Sequence, residues 1–265
     1  TAVGYIALQD VTTGAYNIAI GYYAGKDITT AEKNVAIGDN ALRTDTTSGY
    51  NIAVGSNALY ANTGGHANVA VGHKAMESNT TGEDNVGIGA SALYTNTTSS
   101  YNTAVGNRAL LVNTAELNTA VGSLCMQANT TGTQNTAVGQ AAMYANTTAS
   151  YCTAVGRYAL RLNTTGINNT AVGYFAAREI TTGGGNTVMG MQSMFNSGVD
   201  ISNNTAIGYN SLSSNTTGYQ NVAIGLGSLS YNSSGGNNTA IGRGALKTQT
   251  TGNSNVVLGD QAMQY

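Results

Sequence analysis

Reactive side chains are sparse in this sequence and do not converge. The two histidines, His66 and His73, have no cysteine near them and no aspartate after them until Asp84 on the next rung, which falls short of the three or four ligands that hold a zinc ion. The two cysteines, Cys125 and Cys152, are too few for a disulfide framework. No clustered acid and base of the kind that cleaves a glycosidic bond is present. No catalytic residue, cofactor site or metal site is therefore assigned, and the chain is expected not to be an enzyme.

The chemistry-bearing types that do recur are asparagine and tyrosine, and they recur at a fixed period. The string Thr/Val/Ile-Ala-Val/Ile-Gly places glycines at 4, 21, 38, 55, 72, 89, 106, 122, 139, 156, 173, 190, 208, 225, 242 and 259. The spacing is 17 residues apart from one step of 16 (Gly106 to Gly122) and one of 18 (Gly190 to Gly208). Each repeat is numbered here from its glycine, position 0. A near-complete copy runs from Asn135 to Tyr151. A unit this short cannot hold a pair of helices, and fixed glycines between β-branched residues suit short strands joined by turns. The expected fold class is all-β: a parallel β-solenoid, or β-roll, of sixteen coils of about 17 residues spanning 1–265 as one continuous array.

Each position suggests a role. Positions −3 and −1 are β-branched in nearly every copy and share one strand face by the period-2 rule. Position −2, on the other face, is Ala in thirteen copies. Such a row suggests a closely approached surface, so Ala19, Ala36, Ala53, Ala70, Ala104, Ala120, Ala137 and Ala154 are expected to face another chain. Position +3 is Ala, Ser or Cys, and +4 is Leu or Met in fourteen copies, which reads as interior filling. The run from +7 to +10, often Asn-Thr-Thr-Gly, reads as the outer turn. Both length irregularities fall near it, where insertions are tolerated. None of the 22 Asp, Glu, Lys and Arg residues lies at −4 to 0, +3 or +4, so the positions they occupy, including +7, are expected to be wet.

Position −4 is Asn17, Asn34, Asn51, Asn68, Asn85, Asn102, Asn118, Asn135, Asn169, Asn186, Asn204, Asn221, Asn238 and Asn255, with Cys152 the one exception. Stacked at about 4.8 Å per rung, identical amides can hydrogen-bond along the stack. The preferred reading is a structural ladder satisfying turn backbone; the other is a polar row that binds a ligand or ice. Among the sixteen tyrosines, Tyr50, Tyr101 and Tyr151 at −5 are candidate glycan contacts, but the preferred reading is that tyrosines pack on those of neighbouring rungs and shield the strand edge.

Composition narrows the partners. There are 35 Gly, no Pro, no Trp and 8% charged residues, against about 25% charged in an ordinary globular chain. A hydrophobic share of 41% argues against disorder. Net charge is −2 without a basic or acidic run, so no nucleic acid partner is expected. No apolar stretch approaches the roughly 20 residues of a membrane span, so no membrane insertion is expected.

The Asn-x-Ala-Val/Ile-Gly-x-x-Ala-Leu pattern resembles the head repeats of trimeric autotransporter adhesins. The Asn-Thr-Ala-Val-Gly…Asn-Thr-Thr-Gly form is similar to arrays in phage tail-fibre proteins and bacterial tail-fibre-domain surface proteins. The resemblance covers the entire chain, although adhesin head repeats are usually a few residues shorter. It implies β-rolls from three chains packed around a common axis, hence self-association as a homotrimer. It further implies an extracellular surface appendage or virion tail fibre, as shaft or adhesive head, with a cell-surface glycan or receptor as partner. The alternative is a glycan- or ice-binding β-solenoid whose regular face is the ligand surface. Neither end, at Thr1 or Tyr265, departs from the repeat as a cap would, which suggests an uncapped segment of a longer fibre.

Overall fold

The computed structural model describes residues 1–263; Gln264 and Tyr265 lie outside the described residues. Every repeat contributes one short parallel strand, from β1 (Ala2–Val3) and β2 (Ile18–Ile20) to β15 (Thr239–Ile241) and β16 (Val256–Leu258). No helix occurs among the described residues. The result is a β-solenoid in which each strand occupies positions −3 to −1 and the remainder of the repeat turns back to the next coil. The chain divides into two compact units, Thr1–Thr133 and Gln134–Tyr265.

In the first unit each strand from β1 pairs with its successor as far as β8 (Thr119–Val121), with Ala on Ala as in Ala19 opposite Ala36 and Ala36 opposite Ala53, and with Gly87 in the row between Ala70 and Ala104. The 16-residue step is absorbed without a register slip, since Ala104 still pairs with Ala120. In the second unit, β9 (Thr136–Val138) to β16 pair in the same way. The 18-residue step leaves Val188 opposite Ala206. A slip of one residue would turn every strand side chain to the wrong face, so the variation is confined to the turns.

The inside and outside of the strand are the reverse of the expectation from the alanine row. Ala19, Ala36, Ala53, Ala70, Ala104, Ala120, Ala137 and Ala154 are at most 1% exposed within a single chain. They point into their own coil and are not available to a second chain. The reason is the thinness of the coil. Leu or Met at +4 already fills it, as do Leu42, Leu59, Met76 and Leu93, all 0% exposed. Where the row carries Gly87, an added Cβ would sit 2.8 Å from Met76 Cγ, so only a small residue fits opposite +4. The β-branched residues at −3 and −1 consequently point outward.

Two backbone devices close each coil. The glycine at position 0 has φ between 125° and 139° throughout, a region closed to L side chains. It also stacks directly on its successor: a Cβ on Gly139 would lie 2.6 Å from the carbonyl carbon and oxygen of Gly156. Ordinary residues at −5, +2 and +4 adopt left-handed φ as well, as at Asn40 (54°), Leu42 (48°) and Tyr50 (63°). Such residues cost roughly 1–2 kcal/mol each. Hydrogen bonds to neighbouring coils offset this cost. Asn40 N–H donates back to Tyr22 O at 2.8 Å and Leu42 N–H donates forward to Ala58 O at 3.0 Å.

Candidate interaction surfaces

The asparagines at −4 are buried, apart from the half-buried Asn255, and carry a repeated bonding scheme. Along the row Oδ1 accepts the backbone N–H of the −4 residue one coil on, as from Asn34 at 2.9 Å and Asn51 at 2.8 Å. Most of the Nδ2 groups donate to a turn carbonyl one coil on, as Asn34 to Ser48 O at 2.9 Å and Asn68 to Gly82 O at 2.8 Å, whereas Asn102 donates within its own turn to Ser100 O at 3.2 Å. With their amides enclosed and committed, these residues hold the turns and offer no surface to a ligand.

A second asparagine ladder runs along +7. Turn-forming residues there predict exposure, yet Asn62, Asn79, Asn96, Asn113, Asn163, Asn215 and Asn232 are 0% exposed. Asn79 Nδ2 donates to Asn62 Oδ1 at 3.0 Å and to Gly82 O at 3.0 Å. The two ladders meet on one acceptor per coil: Gly65 O receives Asn51 and Asn62, both at 2.9 Å. The recurrence of Asn at +7 was visible in the repeat; the turn-forming preference of Asn concealed its burial. Asp45 stands in this row and is also 0% exposed, which corrects the expectation that every charged position is wet. Burial pushes its carboxyl above the usual range, opposed by hydrogen bonds from Ser48, Asn62 and Asn51.

The outward rows form the most regular surface. In the first unit, Ile18, Ile20, Ile52 and Ile88 are 38–41% exposed, and Val35, Ile37, Val54, Val69 and Val71 are half-buried beside them. In the second unit the −3 row is threonine from Thr136 through Thr205, beside Val138 and Val155 at 37% and Met189 at 42%. No charged residue enters either row.

Tyr50, Tyr101 and Tyr151 are 57–59% exposed. They lie three coils apart, and the nearest partner of the Tyr50 ring is the Lys33 ammonium, 4.9 Å from its centroid. Ring-on-ring packing occurs instead at +1 and +2, where Tyr5 stacks on Tyr22 at 5.4 Å and Tyr158 on Phe175 at 5.3 Å. Alternating cations and rings continue at +5: Arg161 lies 5.8 Å from Tyr144 and 5.2 Å from Tyr158, and Arg178 lies 5.3 Å from Phe195. A cavity of about 360 Å³ opens on the same side of the first unit, lined by Lys74, Tyr94, Arg108 and Leu111 among others.

The thiols and imidazoles stay apart. Burial pushes the Cys125 thiol up to about 12 and that of Cys152 upward, so neither forms the reactive thiolate at neutral pH. His66 Nδ1 accepts the Gly49 N–H at 3.1 Å, and His73 is exposed. Among the described residues no group of three or more His, Cys, Asp and Glu could hold a metal ion. No helix among them is long and apolar enough to cross a membrane. No protein-family model matches the chain, and no curated protein matches it.

Proposed function

We propose that the chain is a non-catalytic structural and adhesive segment of a homotrimeric fibre, carried on a cell surface or a virion tail. The observation that supports this most is the pair of outward rows at −3 and −1. Each coil adds two uncharged side chains, an apolar one at −1 and an aliphatic or threonine one at −3, so a contact between copies grows in proportion to coil number. A strip of uncharged β-branched residues left against water is a surface that favours burial. Copies related by rotation about an axis parallel to the coils would bury it in every subunit alike. The number three comes from the resemblance of the repeat to adhesin heads and tail fibres. The face involved is this strip and not the alanine row.

The deciding measurement is mass in solution. The expected value is three times the chain mass of 26.9 kDa, with I37K/V54K shifting the protein to a monomer that keeps its β-sheet circular dichroism. A monomeric parent would overturn the reading.

A second reading, a glycan- or ice-binding solenoid, draws on the outward threonines Thr136, Thr153, Thr170, Thr187 and Thr205 and on the exposed Tyr50, Tyr101 and Tyr151. Ice binding predicts thermal hysteresis, against which stands the aliphatic −3 row of the first unit. Glycan binding at the tyrosines predicts a glycan-array signal that disappears on Tyr→Ala substitution at 50, 101 and 151.

A further inference from the structure

Two adjacent columns of side chains, at +2 and +5, cover one side of the second unit, and their small residues coincide in the coil of Gly225. At +5 the large residues Tyr144, Arg161, Arg178 and Phe195 give way to Ser213 and Ser230. At +2, Tyr158, Phe175, Gln192 and Asn210 give way to Gly227 and Gly244. These two glycines are not demanded by the backbone. Their φ values, 65° and 61°, match those of Tyr158 at 62° and Phe175 at 60° in the same position. Nor are they demanded by packing: a Cβ on Gly227 would meet nothing within 4 Å, and one on Gly244 only Gln261 Cγ at 3.8 Å. What the glycines leave is space. Two cavities of about 270 and 190 Å³ share Leu226, Gly227 and Lys247 in their walls, so together they form one trough.

The trough is furnished for a polar ligand with an apolar face. Ser230 is 5% exposed, lines the larger cavity, and its hydroxyl has no hydrogen-bond partner among the described residues. A hydroxyl enclosed without a partner costs about 1–3 kcal/mol, a cost that a ligand hydroxyl would remove. Tyr209 and Tyr231, 42% and 55% exposed, stand at the sides as rings available for stacking. Lys247 borders both cavities, while the neighbouring Arg243 is committed to Asp260 through contacts of 2.8 and 2.7 Å. The surrounding unit favours an anion. Gln134–Tyr265 carries five Lys and Arg against three Asp and Glu, whereas Thr1–Thr133 carries five against nine.

We propose that this trough binds an acidic sugar unit of a glycan, its ring stacked against Tyr209 or Tyr231, a hydroxyl bonded to Ser230 and its carboxylate on Lys247. An acidic peptide would satisfy the ammonium but leave the Ser230 hydroxyl and the flanking rings without matching groups. A nucleic acid strand would present far more phosphates than one lysine meets, and binding to it draws its affinity from many Lys and Arg contacts to phosphate. The proposal stands whether or not the chain forms a trimer.

The test is calorimetric titration of the whole chain with trigalacturonate, with galactotriose as the uncharged counterpart and with triglutamate. Trigalacturonate is expected to bind at least about tenfold more tightly than galactotriose, the size of one charge-assisted hydrogen bond. K247Q should erase that difference. G227Y, which installs the side chain that coil ten carries at this position, should abolish binding of both sugars. Should G227Y lower the melting temperature, K247Q carries the test alone, since Lys247 is an exterior side chain. Absence of binding by either sugar, equal affinity for the two, binding unaltered in K247Q, binding unaltered in a folded G227Y, or tighter binding of triglutamate would each overturn the proposal.

Discussion

Cys152 interrupts the asparagine row at −4, and the interruption shows what the amide contributes. Its backbone N–H still donates to Asn135 Oδ1 at 3.0 Å, but only a thiol faces Gly166 O, at 3.3 Å. C152N is expected to complete the ladder and raise the unfolding free energy by about 1 kcal/mol, measured by denaturant titration. Asp45 is the opposite case, a charge placed in a row of neutral amides. Its carboxyl is raised above its unfolded value, so the folded state holds the proton more tightly. The stability it contributes is fully present below the ordinary carboxylate range and is lost as pH rises through the folded-state value. D45N should therefore stabilise the protein at neutral pH by about 1 kcal/mol and flatten this part of the pH profile, as thermal unfolding between acid and neutral buffers would show. The residue types at −4 and 0 announced ladder and turn in the sequence. The burial of +7 did not show, because Asn is equally at home in an exposed turn.

At the level of the coil, volume is conserved between positions that are not neighbours in the chain. Where +4 loses its Leu or Met, +7 loses its Asn: Gly25 is matched by Ile28 and Ala177 by Ile180, with both isoleucines 0% exposed. A Cβ on Gly25 would lie 3.0 Å from Ile28 Cδ1 and 3.1 Å from Leu8 Cδ2. Leucine itself is compatible with the left-handed backbone there, as Leu42 demonstrates in the next coil. G25L alone is thus expected to cost about 1–3 kcal/mol by overpacking, and I28N alone to strand a buried amide. G25L/I28N should recover most of the loss, with a coupling energy of about 2 kcal/mol in a double-mutant cycle. Additive effects would show that the two positions do not share the same space. The departures at +4 stood out in the sequence, but their partners could be identified only once the coil had brought +4 and +7 together.

At the level of the whole molecule, stability in such an array is a sum of coil terms and nearest-neighbour interfaces. Deletion of residues 69–85 removes one full repeat and joins Asn68 to Val86, preserving strand, ladder and glycine register. That variant is expected to fold with a modest decrease in melting temperature. Deletion of residues 69–76, about half a coil, should abolish the cooperative transition, because it places −3 residues opposite loop positions. Circular dichroism melts of the two deletions distinguish the cases. Two native steps of 16 and 18 residues already show that the turn absorbs one residue while the strand register holds.

By itself the sequence determined the period, the place of the strand within it, the residues sharing each strand face, and the backbone demand at the glycine. These are local or strictly periodic properties, and sixteen copies state them sixteen times. Which strand face is enclosed was decided only by the tertiary structure. Period-2 alternation separates Ala at −2 from the β-branched residues at −3 and −1, but it is symmetric with respect to inside and outside. The symmetry is broken by the direction in which the coil closes. That direction depends on left-handed residues at −5, +2 and +4, most of them side chains such as Tyr, Leu and Arg that carry no local sign of that conformation. The outward apolar strip and the trough over Gly227 and Gly244 both follow from that closure.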